Sequence, residues 1–148
     1  VFTFFGIVSV IGSYFVAAHT VSSWLLTLPA AAIGFFSVGV LNVNNIRDMK
    51  TDAATRTTMA MKMGVNGARI YQTVLIVLGW ACMVAYCLCK IFDPWHYLFV
   101  LTLPLYIIHL KGVWTRDDRK LDPMLPLLVM STFALSLLTG IGFLVYLF

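Results

Sequence analysis

Charge is scarce in this sequence. Asp, Glu, Lys and Arg make up 11% of its 148 residues, against 61% for hydrophobic residues, whereas a soluble domain is about a quarter charged. That shortage excludes a water-facing globular surface, and a mean hydropathy of +0.93 places the chain in a membrane. No basic stripe is interleaved with aromatics, so nucleic acid is not among the expected partners. The apolar runs do not alternate with polar residues, which excludes the strands of a transmembrane barrel. Cysteine is scarce too, at three residues. Cys82, Cys87 and Cys89 fall within one apolar run, which argues for small packing residues and against a disulfide framework or a zinc site. The first residue is Val1, and no basic stretch precedes the first apolar run. That run is therefore not read as a signal peptide, and the chain is expected to begin within a longer protein.

What remains is an all-α, polytopic transmembrane bundle. Backbone groups in lipid must be satisfied within each segment, and the length allows about five spans of roughly 20 residues. Five apolar runs predict helices over residues 1–18, 22–45, 67–89, 95–110 and 125–148 of a single domain. Pro29 falls near a helix start, where it is tolerated, and Pro104 should kink or interrupt the fourth helix. Asp122-Pro123 with Pro126 reads as the loop leading into the fifth.

The charges divide by loop. Arg47, Lys50, Arg56, Lys62 and Arg69 stand with Asp48 and Asp52 between the second and third helices. Lys111, Arg116, Arg119 and Lys120 stand with Asp117 and Asp118 between the fourth and fifth. The other two connections are nearly uncharged. By the positive-inside rule both basic loops are cytoplasmic, so they face the same side and are expected to line one cavity mouth.

The most informative stretch is Asn44-Asn45-Ile46-Arg47-Asp48-Met49-Lys50-Thr51-Asp52. On a helix Asn44, Asp48 and Asp52 fall at i, i+4 and i+8, one face. Ionisable groups at the end of a membrane-spanning helix are costly and mark functional sites. Mg²⁺ takes one or two carboxylates and leaves its other positions to water and substrate phosphates. Asp48 and Asp52 suit that role, with Asn44 or Asn45 supporting through an amide oxygen. Arg47, Lys50, Arg56 and Lys62 are candidates for the phosphate oxygens. His109, near the cytoplasmic end of the fourth helix, lies at a depth where an aromatic substrate could sit, but reads first as a capped or snorkelling side chain. Trp80, Trp95, Tyr97 and Trp114 are candidate interfacial anchors. Gly34 and Gly39 with residues 30–32 suit close helix packing.

The 44–52 stretch, followed by Thr58-Met59-Ala60-Met61-Lys62-Met63-Gly64, resembles the second aspartate-rich motif of the UbiA superfamily of intramembrane prenyltransferases. Its Asn-Asn-x-Arg-Asp form is similar to that of the menaquinone branch, which prenylates 1,4-dihydroxy-2-naphthoate. Phe4-Phe5-Gly6, Gly12-Ser13-Tyr14-Phe15 and, more weakly, Leu121-Asp122-Pro123-Met124-Leu125-Pro126 resemble the same branch. The resemblance implies an enzyme that joins a polyprenyl diphosphate to an aromatic ring. Mg²⁺ would lie on Asp48 and Asp52 with Asn45 beside them, and Arg56 would be the phosphate-binding cation. The implied partners are the polyprenyl diphosphate, the dihydroxynaphthoate acceptor and membrane lipids. The implied location is a bacterial inner membrane, with the active-site loops cytoplasmic. The family's earlier Asn-Asp-x-x-Asp motif is absent, and five helices stand where nine are usual. The chain therefore reads as the C-terminal portion of such an enzyme, inactive alone. A transporter, or a lipid- or ion-binding membrane subunit with an intramembrane acidic site, is the competing class.

Overall fold

The computed structural model of the chain describes residues 1–20, 23–54, 57–90 and 94–147. Every regular element among them is helical. A π-helical stretch, Phe2–Val8, runs into α1 (Ser9–Ala18). A 3₁₀ turn, Trp24–Leu26, opens α2 (Thr27–Arg47), and α3 (Met49–Asp52) follows after one residue. α4 covers Met59–Lys90. A long 3₁₀ stretch, Pro94–Thr102, leads into α5 (Leu103–Thr115), and the 3₁₀ turn Asp118–Leu121 precedes α6 (Met124–Leu147). Four stretches are long and apolar enough to cross a membrane: Trp24–Arg47, Met59–Cys89, Pro94–Thr115 and Asp118–Val145. The helix Phe2–Ala18 is apolar but shorter.

The structure departs from the sequence-based boundaries at three places, each for a local reason. The third helix starts at Met59, ahead of the expected Gly67, and Gly64 (φ 70, ψ 168) breaks it from within. Only glycine adopts that conformation freely. Ahead of the break, Met59–Met63 form their own turn, where the Thr58 hydroxyl accepts the Met61 N–H at 3.4 Å. In the fourth helix Pro104 marks where a 3₁₀ stretch gives way to an α-helix, so the segment is not one continuous α-helix. The proline occupies the first turn of α5, where the 3₁₀ stretch ends and a missing N–H costs little. α5 also runs past residue 110 to Thr115, carrying Lys111 inside the helix.

α2 is the central element. Gly6 approaches it so closely that a Cβ there would lie 2.6 Å from both Ala30 O and Gly34 Cα. On its other side Gly79 of α4 leaves room for the Phe36 ring, which packs 5.0 Å from Tyr106 of α5. Trp80, a candidate interfacial anchor by sequence, instead packs against Phe99 and Tyr106. A second apolar cluster joins Val43, Ile46, Ala60, Ala68, Val113, Leu121 and Met124 at the end of the bundle where α2 stops. Phe4, Val16, Leu101 and Phe133 point outward, largely exposed, as lipid-facing side chains would be. Cys82, Cys87 and Cys89 are free thiols.

Two glycine substitutions test the packing. Gly6→Val should separate the Phe2–Val8 stretch from α2 and cost about 1–3 kcal/mol, the usual penalty of overpacking. Gly12 has nothing within 4 Å of an added Cβ. Gly12→Ala should therefore leave stability unchanged or raise it by up to about 1 kcal/mol. Thermal unfolding in detergent distinguishes the two.

Candidate active site

α2 ends in Asn42-Val43-Asn44-Asn45-Ile46-Arg47, where apolar Val43 and Ile46 are buried in the second cluster and hold the polar residues above it. The helix axis breaks at Asp48 (φ −93, ψ 7). The hydrogen-bond pattern nevertheless continues, since Asp48 N–H donates to Asn44 O at 3.0 Å and Asp52 N–H to Asp48 O at 2.8 Å. Asn44, Asp48 and Asp52 thus occupy successive turns. Asn45 and Asp52 are half-buried and Lys62 is exposed on the Met59–Met63 turn. Arg56 lies outside the described residues.

Arg47 organises this end of the bundle. Its Nε donates to Asp48 Oδ1 at 2.8 Å and its Nη2 to Asp48 Oδ2 at 2.7 Å, a bidentate pair. Nη2 also reaches Asn44 Oδ1 at 2.8 Å, and Nη1 reaches Asp122 Oδ1 at 3.1 Å. Lys50 pairs with Asp118 at 2.6 Å, and this hydrogen bond and charge raise the lysine's affinity for its proton. Arg69, 12% exposed, donates to the carbonyls of Val113 (2.9 Å) and Arg116 (2.8 Å) and pairs with Asp117 at 2.8 Å. It therefore caps the C-terminus of α5, which is why that helix outruns its expected end. Three cations from one polar connection hold three aspartates of the other, so the two connections meet at one end of the bundle.

From Asn44 an open apolar trough runs down between α1, α2 and α6. Its upper part, about 490 Å³, is bounded by Phe5, Leu41, Asn44 and Leu125. A middle part of about 270 Å³ shares Ser37, Val40 and Val129 with it. A lower part of about 220 Å³ shares Val10, Ile33 and Ser136 with the middle and reaches Pro29 and Thr139. The α6 hydroxyls along this trough donate to their own helix: Thr132 to Leu128 O (2.9 Å), Ser136 to Thr132 O (3.0 Å) and Thr139 to Leu135 O (2.7 Å). The wall therefore offers no unsatisfied donor on these side chains to an apolar occupant.

His109 neither caps nor snorkels. It is fully buried between Gln72 and the Met124 carbonyl. Sequence reasoning did not single out Gln72, and the only available signal was a polar side chain within an apolar run.

The UbiA prenyltransferase family model matches residues 1–137. The chain belongs to the UbiA prenyltransferase family. Within it, the chain is 32% identical over 147 residues to the 1,4-dihydroxy-2-naphthoate octaprenyltransferase of Haemophilus influenzae, covering 98% of this chain and 47% of that relative. It is 34% identical over 144 residues to the Escherichia coli protein of the same name, covering 96% and 46%. To the Mycobacterium tuberculosis protein of that name it is 34% identical over 148 residues, covering 97% and 49%. The chain thus spans about half the length of the curated relatives it matches. No solved structure gives a significant match. Apolar spans together with UbiA membership make this an integral membrane protein.

The clamp at this end predicts an order of stabilities. Arg69→Leu leaves two backbone carbonyls and a carboxylate without their donor and should cost about 2 kcal/mol. Lys50→Leu removes an exposed pair and should move the unfolding temperature much less. Equal shifts for both variants would contradict the capping role of Arg69.

Proposed function

We propose that this chain forms the half of a polyprenyltransferase that carries its second aspartate-rich site, acting on a polyprenyl diphosphate and 1,4-dihydroxy-2-naphthoate in menaquinone synthesis. One observation carries the reading: a long apolar trough opens at one end beside Asn44, where two aspartates and several cations gather. A polyprenyl tail fits the trough, and its diphosphate would then lie at the polar end. The names of the relatives support the same substrates. The basic connections favour a cytoplasmic site, and the bacterial relatives favour an inner-membrane location.

The donor set suits Mg²⁺. Asp48, Asp52, Asn45 and Asn44 offer hard oxygens only; in this structure both Asp48 oxygens and Asn44 Oδ1 accept from Arg47, so Mg²⁺ would take them as Arg47 turns to a phosphate oxygen. Such a set leaves positions for phosphate and water. When bound, Mg²⁺ would neutralise charge on the departing diphosphate. Arg47, Lys50, Arg56 and Lys62 are the side chains proposed to take the remaining phosphate oxygens. The trough orients the allylic carbon and keeps water from it. Its C–O bond breaks with the electron pair leaving on diphosphate, and the aromatic ring carbon forms the new C–C bond. The ring carboxylate departs as CO₂, leaving its electron pair to the ring.

Prenyl transfer should be measured in membranes carrying this chain, alone and joined to a segment supplying the other half of its relatives' length. Product is expected only from the joined protein. Asp48→Asn should lower the rate by about 10²–10³, the scale of losing one electrostatic contact to the transition state. Chelation of divalent cations should abolish transfer, and added Mg²⁺ should restore it. No product from the joined protein with this or other aromatic acceptors would reject the reading and favour an ion- or lipid-binding module.

A further inference from the structure

Three buried polar side chains below the site play no part in the reaction proposed above. Asn42 on α2, Gln72 on α4 and His109 on α5 are 4%, 0% and 0% exposed. Asn42 Nδ2 donates to Ala68 O at 2.9 Å and to Gln72 Oε1 at 3.0 Å. Gln72 Nε2 lies 3.1 Å from His109 Nε2, and His109 Nδ1 lies 3.0 Å from Met124 O. Four helices meet in one chain of hydrogen bonds, and Gly39 makes room for it. A Cβ at Gly39 would lie 3.0 Å from Gln72 Nε2.

The direction of this chain is determined from both ends, because each end is a backbone carbonyl, which accepts and never donates. Ala68 O requires the Asn42 amide nitrogen to face it. The second hydrogen of that nitrogen then needs the oxygen of Gln72. Gln72 must turn its NH₂ toward His109, whose Nε2 can only accept. From the other end, Met124 O requires a hydrogen on Nδ1. Both ends demand the same imidazole: neutral, with its hydrogen on Nδ1. An imidazolium would set N–H against NH₂. Reversing Gln72 alone would set NH₂ against NH₂ at Asn42.

We infer that Asn42, Gln72 and His109 are positioning residues, a one-way hydrogen-bond chain that holds His109 neutral and sets the level at which α2 presents Asn44, Asn45 and Asp48 to α5 and the first turn of α6. Asn42 stands half a turn before Asn44, and Met124 follows Asp122, the outer partner of Arg47. The chain therefore ties the same two elements that Arg47 ties, but from inside. A buried network of this kind is fully satisfied or costly, so losing one member should loosen the segment it carries.

The test uses the membrane-embedded protein and three readouts, of which only the kinetic one rests on the proposed prenyl transfer. ¹⁵N NMR of His109 should show a bare Nε2 and a protonated Nδ1 through the neutral pH range; an imidazolium, or hydrogen on Nε2, overturns the inference. His109→Asn keeps a donor near Nδ1 but removes the acceptor for Gln72, whereas His109→Gln keeps an acceptor near Nε2. Amide exchange across residues 42–48 should quicken on the order of tenfold in His109→Asn and in Gln72→Leu, the factor expected for one lost buried hydrogen bond. It should return toward the parent rate in His109→Gln. Exchange that rises equally in every helix, whichever variant is made, marks a merely structural core and overturns the positioning role. Asn42→Ser, the mildest change, decides the matter by the same comparison if the others do not fold. In the joined protein, His109→Asn should raise KM for the polyprenyl diphosphate with kcat little changed. Exchange confined to residues 42–48 in a parent that transfers no prenyl group supports the positioning and rejects only the reaction.

Discussion

Hydrocarbon offers a polar group no partner, so a polar group at membrane depth is costly unless it finds one within the protein; the buried Trp80 indole N–H, which has none among the described residues, is an exception. The architecture follows from that cost. The apolar runs become helices that satisfy their own backbones. The α6 hydroxyls turn back to carbonyls four residues behind them. Asn42, Gln72 and His109 satisfy one another and two backbone carbonyls. Five of the six aspartates, all but Asp93, stand in the two polar connections, where guanidinium, ammonium and water are at hand. The same constraint that turns the α6 hydroxyls back onto their own helix concentrates charge at the mouth of the trough.

That mouth is strongly ionic and yet ordered. Isolated surface ion pairs contribute little, but Arg47 engages Asp48, Asn44 and Asp122 together. Arg69 is mostly shielded and engages two carbonyls besides Asp117. Below them the cluster of Val43, Ile46, Ala60, Ala68, Val113, Leu121 and Met124 gives an apolar floor. Charge on a rigid apolar base is an arrangement suited to holding a highly charged group next to a long hydrocarbon tail.

Much of this was legible in local pattern. Long apolar runs yield the helices, and the four-residue spacing of Asn44, Asp48 and Asp52 survives the joint at Asp48. The division of charge among loops anticipated that the two polar connections would meet. What local pattern could not supply was register between helices. Arg69 caps a helix whose last carbonyls lie 44 and 47 residues away, so the extension of α5 to Thr115 has no local cause. His109 meets Gln72 across 37 residues, and a lone histidine near a helix end gives no hint of it. Gly64 looked like any other glycine of a motif, because its positive φ is a property of how the Met59–Met63 turn docks on its neighbours. Trp80 was misplaced for the same reason, since only packing reveals whether a tryptophan faces lipid headgroups or a core.

The contact between Arg47 and Asp122 bridges 75 residues and has a temporal side. Asp122 stands at the threshold of α6, so this acceptor does not exist for Arg47 until α4 and α5 have been made. While α4 and α5 are being inserted, Asp48 is the nearest counter-charge for Arg47, with no tether reaching across the bundle. Arrival of α6 supplies the missing partner and closes the ring of ties. Order at the polar end therefore follows the making of Asp48 and Asp52, and a chain arrested before residue 122 would carry them without the contact that ties Arg47 across the bundle.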